Sequence, residues 1–312
     1  VFLLLLALER RPRTYVEAIS EQARRLLIPF VFWTVFYAFY SLIKAEAFGY
    51  SSAAIAQLGT FEAWIGFLLL GDVKYHMHFL PTLFGLLLLY PLFRLAARYP
   101  ALGLCILLCL LIKQEVDRLL YQNFWGSDAL AYYLRAAKIL TYAGYGLFAG
   151  AMLGILHNVA ARERAQWTVP ILGLGAILFG LKLFATWETI SIGEWVFDNT
   201  PGYWADFLMP VVLFGACLTL GHKKWPNVLS RIAPYSFGIY LCHPIFLDLA
   251  EIALQDTTLM PLPQVLLKIS FTLSATVVFV VWLSRRKWVA WTIGLGPLPK
   301  LARRHRFSEE VR

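Results

Sequence analysis

Apolar runs recur along this chain at lengths that suit the interior of a lipid bilayer, and no other feature restricts its fold so severely. A helix needs about 20 residues to cross a hydrocarbon core of ~30 Å, and a backbone lodged there must satisfy its own hydrogen bonds. Runs at residues 26–43, 78–95, 101–112, 139–156, 169–185, 207–220, 235–254 and 265–283 therefore predict an all-α protein, a polytopic transmembrane helix bundle with eight full spans. The shortest, 101–112, needs tilt, local thinning or extension to Val116 to cross. Residues 1–8 are too short to span, and their positive charges follow rather than precede the apolar run, the reverse of a signal peptide. They are expected to be the remnant of a further span. Only 15% of the residues are charged, against roughly 25% in soluble domains. No soluble domain, repeat or low-complexity linker interrupts the pattern, so a single membrane-embedded domain over residues 1–312 is expected, ending in a basic cytoplasmic tail at 285–312.

The net charge of +9 does not point to nucleic acid, because the basic residues sit in short loops between apolar runs rather than on one folded polar face. Five alternating connections (9–25, 94–100, 157–166, 222–231 and the segment from 285) hold 20 of the 28 Lys/Arg but six of the 19 Asp/Glu. The positive-inside rule places them in the cytoplasm and residues 76–78 on the opposite side. Gly146, Gly150 and Gly154 repeat every fourth residue, a pattern that lets helices approach closely. Trp33, Tyr37, Tyr40, Trp187, Trp195, Trp204 and Trp225 lie near expected interfaces, as an aromatic belt would. Cys105, Cys109, Cys217 and Cys242 all lie in apolar runs and read as small hydrophobes, and no metal site is expected.

Three stretches carry groups that could do chemistry. His76 and His78 enter the apolar run at 79–90. On a helix that spacing makes the two side chains diverge, so a metal site would need a third ligand, and two polar interfacial residues explain the pair equally well. Ser236, Tyr240 and His243 share one helix face. An imidazole inside a span calls for a partner or a wet cavity; His243 is either a reactive group or a structural one, bonded to a carbonyl freed by Pro244. Arg24 and Arg25, at the cytoplasmic entrance of the first full span, suit anionic lipid headgroups or the phosphates of a cofactor, which guanidinium pairs bind bidentately. The sequence contains no phosphate-cradling glycine loop, no dinucleotide fingerprint, no His-Glu-x-x-His and no Gly-x-Ser-x-Gly, which removes the common nucleotide-driven and hydrolytic chemistries.

In order and spacing, these stretches resemble the acyltransferase 3 family, multi-span bacterial enzymes that O-acylate surface and secreted glycans. The resemblance rests on Arg24-Arg25-Leu26-Leu27-Ile28-Pro29 before an aromatic span, His76-Met77-His78-Phe79-Leu80 entering another, and Ser236 to His243, which follows a Ser-Phe-x-Ile-Tyr-Leu-x-His pattern. His78 stands where the family usually has Trp. The resemblance implies an intact fold of about ten spans with a cytoplasmic N-terminus and acyl-CoA as donor. It also implies a principal catalytic histidine in an Arg-x10-His pattern on a first span that would precede residues 1–8, so the domain here is expected to lack that span and that base.

The resemblance therefore implies a membrane-bound O-acyltransferase of the bacterial cytoplasmic (inner) membrane, most simply an O-acetyltransferase. It would use acetyl-CoA or another acyl-CoA, and no metal, to modify a hydroxyl of a glycan or lipid-linked sugar. Arg24 and Arg25 would hold the coenzyme A phosphates, while His76, Tyr240 and His243 would line the cavity and orient the acceptor or stabilise charge. The loop 187–204, with Glu188, Glu194 and Asp198, is a candidate sugar platform or an interfacial aromatic loop. Other readings of the same residues are a transporter or flippase of a glycan or lipid intermediate, its polar groups lining a path, and a degenerate, inactive acyltransferase. Membrane lipids are expected as surroundings, and nucleic acid is not expected as a partner.

Overall fold

A computed structural model describes residues 1–193, 200–255, 257–258 and 260–298. Among them no strand occurs, as a chain of apolar, bilayer-length runs requires. The α-helices are α1 (Phe2–Arg10), α2 (Tyr15–Ala47), α3 (Ser51–Leu58), α4 (Phe61–Leu69), α5 (Phe79–Leu88), α6 (Tyr90–Arg98), α7 (Cys105–Phe124), α8 (Leu130–Asn158), α9 (Ala161–Gln166), α10 (Thr168–Ile192), α11 (Thr200–Thr219), α12 (Asn227–Ile232), α13 (Ser236–Leu254) and α14 (Pro261–Ser284).

Six helical runs among the described residues are long and apolar enough to cross a membrane, or up to eight if each of two bent pairs forms one span. The six overlap six of the runs expected from the sequence. The other two expected spans differ. Residues 78–95 form α5 and α6, bent by 58°, because Pro91 has no N–H and its ring collides with the carbonyl four residues back, ending α5 at Leu88. Residues 101–112 begin in a 3-10 turn, Pro100–Leu104. They continue as α7, which carries Lys113, Glu115, Asp117 and Arg118 and is too charged to qualify as a span. The second bent pair, α3 with α4 at 87°, lies outside the eight runs expected from the sequence.

The chain divides into two compact units. Unit 1 comprises Val1–Gln22 and Pro81–Trp225. In it α8 packs against α1, α6 and α7, and α10 packs against α11. The four-residue glycine repeat explains how α6 comes so close: a Cβ at Gly150 would overlap the carbonyl of Phe93, and one at Gly154 that of Ala97. Leu5, Leu8, Phe93, Leu147 and Leu153 fill the core between these helices. Tyr15 anchors this unit's end of α2, stacking on Tyr90 at 5.5 Å and donating its hydroxyl to the Leu88 carbonyl at 3.0 Å.

Unit 2 joins Ala23–Leu80 to the described residues from Pro226 onward. Phe30, Trp33, Tyr37, Met77, Leu241 and Cys242 form its core. Aromatic residues near helix ends were expected to sit at the membrane surface. Trp33 and Tyr37 instead face inward, both almost fully buried, their polar tips donating to the carbonyls of Thr292 at 2.7 Å and Leu241 at 2.5 Å. Gly71 takes φ +74°, and a Cβ there would sit 2.6 Å from the His78 backbone. Only glycine therefore allows the loop 70–78 to fold back on itself, and that loop carries Tyr75 and His76.

Candidate active site

The chemistry-bearing side chains of unit 2 meet around α13. Pro244 lies inside that helix and has no N–H to give the carbonyl of Tyr240, four residues earlier. The Nδ1–H of His243 takes that place, 2.8 Å from the Tyr240 oxygen. With Nδ1 committed as donor, Nε2 is left as the acceptor, and the hydroxyl of Tyr75 lies 2.9 Å from it. Burial, reinforced by the charges of Asp248 and Glu251, raises the Tyr75 pKa above its ordinary 10, so the phenol stays protonated at neutral pH and donates. The structural hydrogen bond anticipated for His243 is therefore present, and it fixes the tautomer that makes the other nitrogen basic.

His76 lies beside this pair, its ring centroid 5.1 Å from that of His243 and 5.5 Å from that of Tyr37. It is 6% exposed, and among the described residues its ring nitrogens make no well-aligned hydrogen bond, the Leu241 backbone being the polar group nearest to hand. Burial, helped by the neighbouring His243, depresses its pKa from 6.5 to about 3. It is thus a neutral imidazole with one N–H and one lone pair to offer. Tyr240 donates its hydroxyl to the His76 backbone carbonyl and packs its ring 5.2 Å from the imidazole, fixing His76 from below. His78 turns to another task, its Nδ1 bonding the Tyr75 carbonyl at 2.5 Å.

An ion network lies one to two turns further along α13, outside the three stretches that the sequence singles out. Asp248, 3% exposed, receives Lys44 at 3.1 Å and Lys74 at 2.6 Å, and Lys44 also pairs with Glu251. Lys74 immediately precedes Tyr75, so its ion pair ties the loop 70–78 to the helix that carries His243. The signal was available: Asp248 and Glu251 are carboxylates in an otherwise apolar run, where ionisable groups demand partners. Tyr75 and Tyr37 carried no such mark.

The structure brings His76, Tyr240 and His243 together and keeps the arginine pair apart from them. Arg24 and Arg25 are exposed on α2, and at 1.5 Å per residue they lie roughly 20 Å along the helix from Tyr37. An apolar groove of about 980 Å³ starts two residues beyond Arg25, at Leu27, and follows α2 to Ile43. Ser236 opens α13 and is exposed. Among the described residues, no three His, Cys, Asp or Glu side chains gather as a metal would require. Of the proposed sugar platform, Trp195, Glu194 and Asp198 lie outside the described residues. Trp187 is exposed, and Trp204 donates to the Gln114 side chain at 2.9 Å.

A family model described as an acyltransferase domain matches residues 2–285. No curated protein and no solved structure matches the chain.

Proposed function

The chain belongs to the acyltransferase 3 family, and from that premise we propose that it moves an acyl group from acyl-CoA, most simply acetyl-CoA, to a hydroxyl of a cell-surface or secreted glycan at the bacterial cytoplasmic membrane. The reaction breaks the thioester C–S bond and forms a C–O bond, and the acceptor's proton finishes on the coenzyme A thiolate. An alcohol is a poor nucleophile, so its hydroxyl must be oriented, its proton moved and the thioester oxyanion stabilised.

The observation that carries this reading is the hydrogen bond between Tyr75 and an His243 whose Nδ1 is already committed. A hydroxyl between acceptor and imidazole can orient the sugar oxygen and share in the transfer of its proton to Nε2. His76, neutral and with no well-aligned hydrogen bond among the described residues, supplies an N–H to the developing oxyanion without adding a charge that would repel a protonated His243. Tyr240 holds His76 in place. Arg24 and Arg25 bind the coenzyme A phosphates, with the donor extending along α2 toward Tyr37. The apolar groove beside them supports a second reading of the pair, as a clamp for an anionic lipid whose tail lies along α2.

Membranes containing the protein, incubated with radiolabelled acetyl-CoA, are expected to label glycan. Arg24→Ala/Arg25→Ala is expected to raise KM for acyl-CoA by about tenfold or more, from lost charge-assisted bonds. An unchanged KM would return the pair to lipid anchoring, and absence of labelling with any acyl donor would overturn the function.

A further inference from the structure

Besides the groove along α2, unit 2 carries a second apolar groove, of about 590 Å³, where α13 and α14 meet. Phe246 of α13 and Phe271, Phe279 and Trp282 of α14 line it. Phe246 lies 6.4 Å from Phe271 and 5.5 Å from Phe279, and Phe279 stacks on Trp282 at 6.0 Å. Between these rings α14 offers only Ser274, Ala275 and Val278, and large rings set around small side chains leave a depression along the helix. From Phe271 to Trp282 the lining covers about 16 Å of helix. That is the depth of one leaflet in a hydrocarbon core of ~30 Å.

One end of the groove is charged. The guanidinium of Arg286, one turn beyond Trp282, lies 5.6 Å from its ring, within the range of a cation–π contact. Arg285, Lys287 and Trp288 flank it, and all four residues are exposed. A pinned turn presents them: Arg286 donates its N–H to the Leu283 carbonyl at 3.0 Å, and its own carbonyl accepts the Ala290 N–H at 2.9 Å. Ala290, Thr292 and Ile293 are buried directly afterwards, with Trp33 donating to the Thr292 carbonyl at 2.7 Å. By the positive-inside rule this end of α14 is cytoplasmic. Clustered Lys and Arg beside a span attract anionic headgroups there, and guanidinium groups bind phosphate bidentately. At the opposite end Lys268 lies one turn before Phe271, but it is not part of the lining.

We propose that this groove seats an acyl chain of an anionic glycerophospholipid from the cytoplasmic leaflet, its phosphate held by Arg285 and Arg286 and its net charge matched by Lys287. The seat uses neither acyl-CoA nor the groups around His243, so it stands apart from the acyltransferase reading.

The test is native mass spectrometry of the full chain released from nanodiscs of phosphatidylcholine and phosphatidylglycerol in equal amounts, each retained lipid being identified by its mass. Wild type is expected to retain phosphatidylglycerol in preference to phosphatidylcholine. Removing one charge, in Arg285→Gln or Arg286→Gln, should lower that preference by about fivefold, and Arg286→Lys should keep more of it than Arg286→Gln. Ser274→Phe puts a ring into the groove from an exposed position and should reduce retention of phosphatidylglycerol with all three cations intact, which electrostatic attraction alone would not do. Lys268→Gln should match wild type. Equal retention of the two lipids by wild type, or a preference unmoved by Arg285→Gln/Arg286→Gln or by Ser274→Phe, would overturn the seat. A loss in Lys268→Gln as large as in Arg286→Gln would put the headgroup at the wrong end and overturn it too. Dimers that Ser274→Phe abolishes, with no lipid retained, would give the groove to a second copy of the chain instead.

Discussion

Two ion clusters, one in each unit, are built around a buried or half-buried aspartate and differ in what the aspartate holds. Around Asp248 two lysines meet two carboxylates; around Asp117 one lysine and a tyrosine hydroxyl meet one carboxylate. The first closes on itself and acts as a clamp, tying the Tyr75–His76 loop to α13. The second ties α7 to α11 through the Asp117 carboxylate, which takes both the Lys113 ammonium and the Tyr203 hydroxyl. The partners of the aspartate thus decide what a cluster of the same residue types holds together.

The comparison breaks most easily at Asp248. Asp248→Ala strands two lysines around a buried site and is expected to destabilise the protein by about 3–5 kcal/mol, seen as a large drop in thermal unfolding temperature and loss of activity together. Acid probes the same unit through His76. In the fold this imidazole stays neutral down to about pH 3, whereas the unfolded chain takes up a proton near pH 6.5. The unfolded state binds more protons between these values, so stability falls as pH drops through that window, by up to about 1.4 kcal/mol per unit. Unfolding measured at pH 7 and pH 5 should show this loss in wild type and a smaller one in His76→Asn. The smallest effect is expected in unit 1. Lys138→Met removes a charge that makes no carboxylate ion pair among the described residues and should change stability by less than about 1 kcal/mol, or raise it. A loss as large as that of Asp248→Ala would show that the two clusters do the same work.

Much of this organisation was legible in the sequence, because hydropathy and charge placement report directly on a bilayer. Six of the eight expected runs coincide with helices long and apolar enough to cross a membrane, and the glycine repeat of α8 marks a close approach. The bend at Pro91 was written in the sequence too, but a proline in an apolar run signals either a kink or a tolerated break, and only packing decides. Residues 101–112 misled because the apolar stretch stops at Ile112 while the helix continues through four charged residues that find partners. Within the site, Tyr240 and His243 were visible from their shared helix face. His76 was visible only as one of an ambiguous pair, and Tyr75 only as a neighbour, since its contact with His243 depends on a loop folding back at Gly71. Asp248 and Lys74 pair across 174 positions of sequence, a distance over which no local pattern operates.

The central claim is that His243, its tautomer fixed by the carbonyl that Pro244 frees, works through Tyr75 on the acceptor hydroxyl. Transfer of label from acetyl-CoA to glycan, compared among wild type, His243→Ala and Tyr75→Phe at equal folded protein, tests it most directly. The expected result is a fall in kcat of about 10²-fold or more for His243→Ala and of roughly tenfold for Tyr75→Phe, with KM for acyl-CoA unchanged in both. Wild-type turnover in His243→Ala would contradict the account.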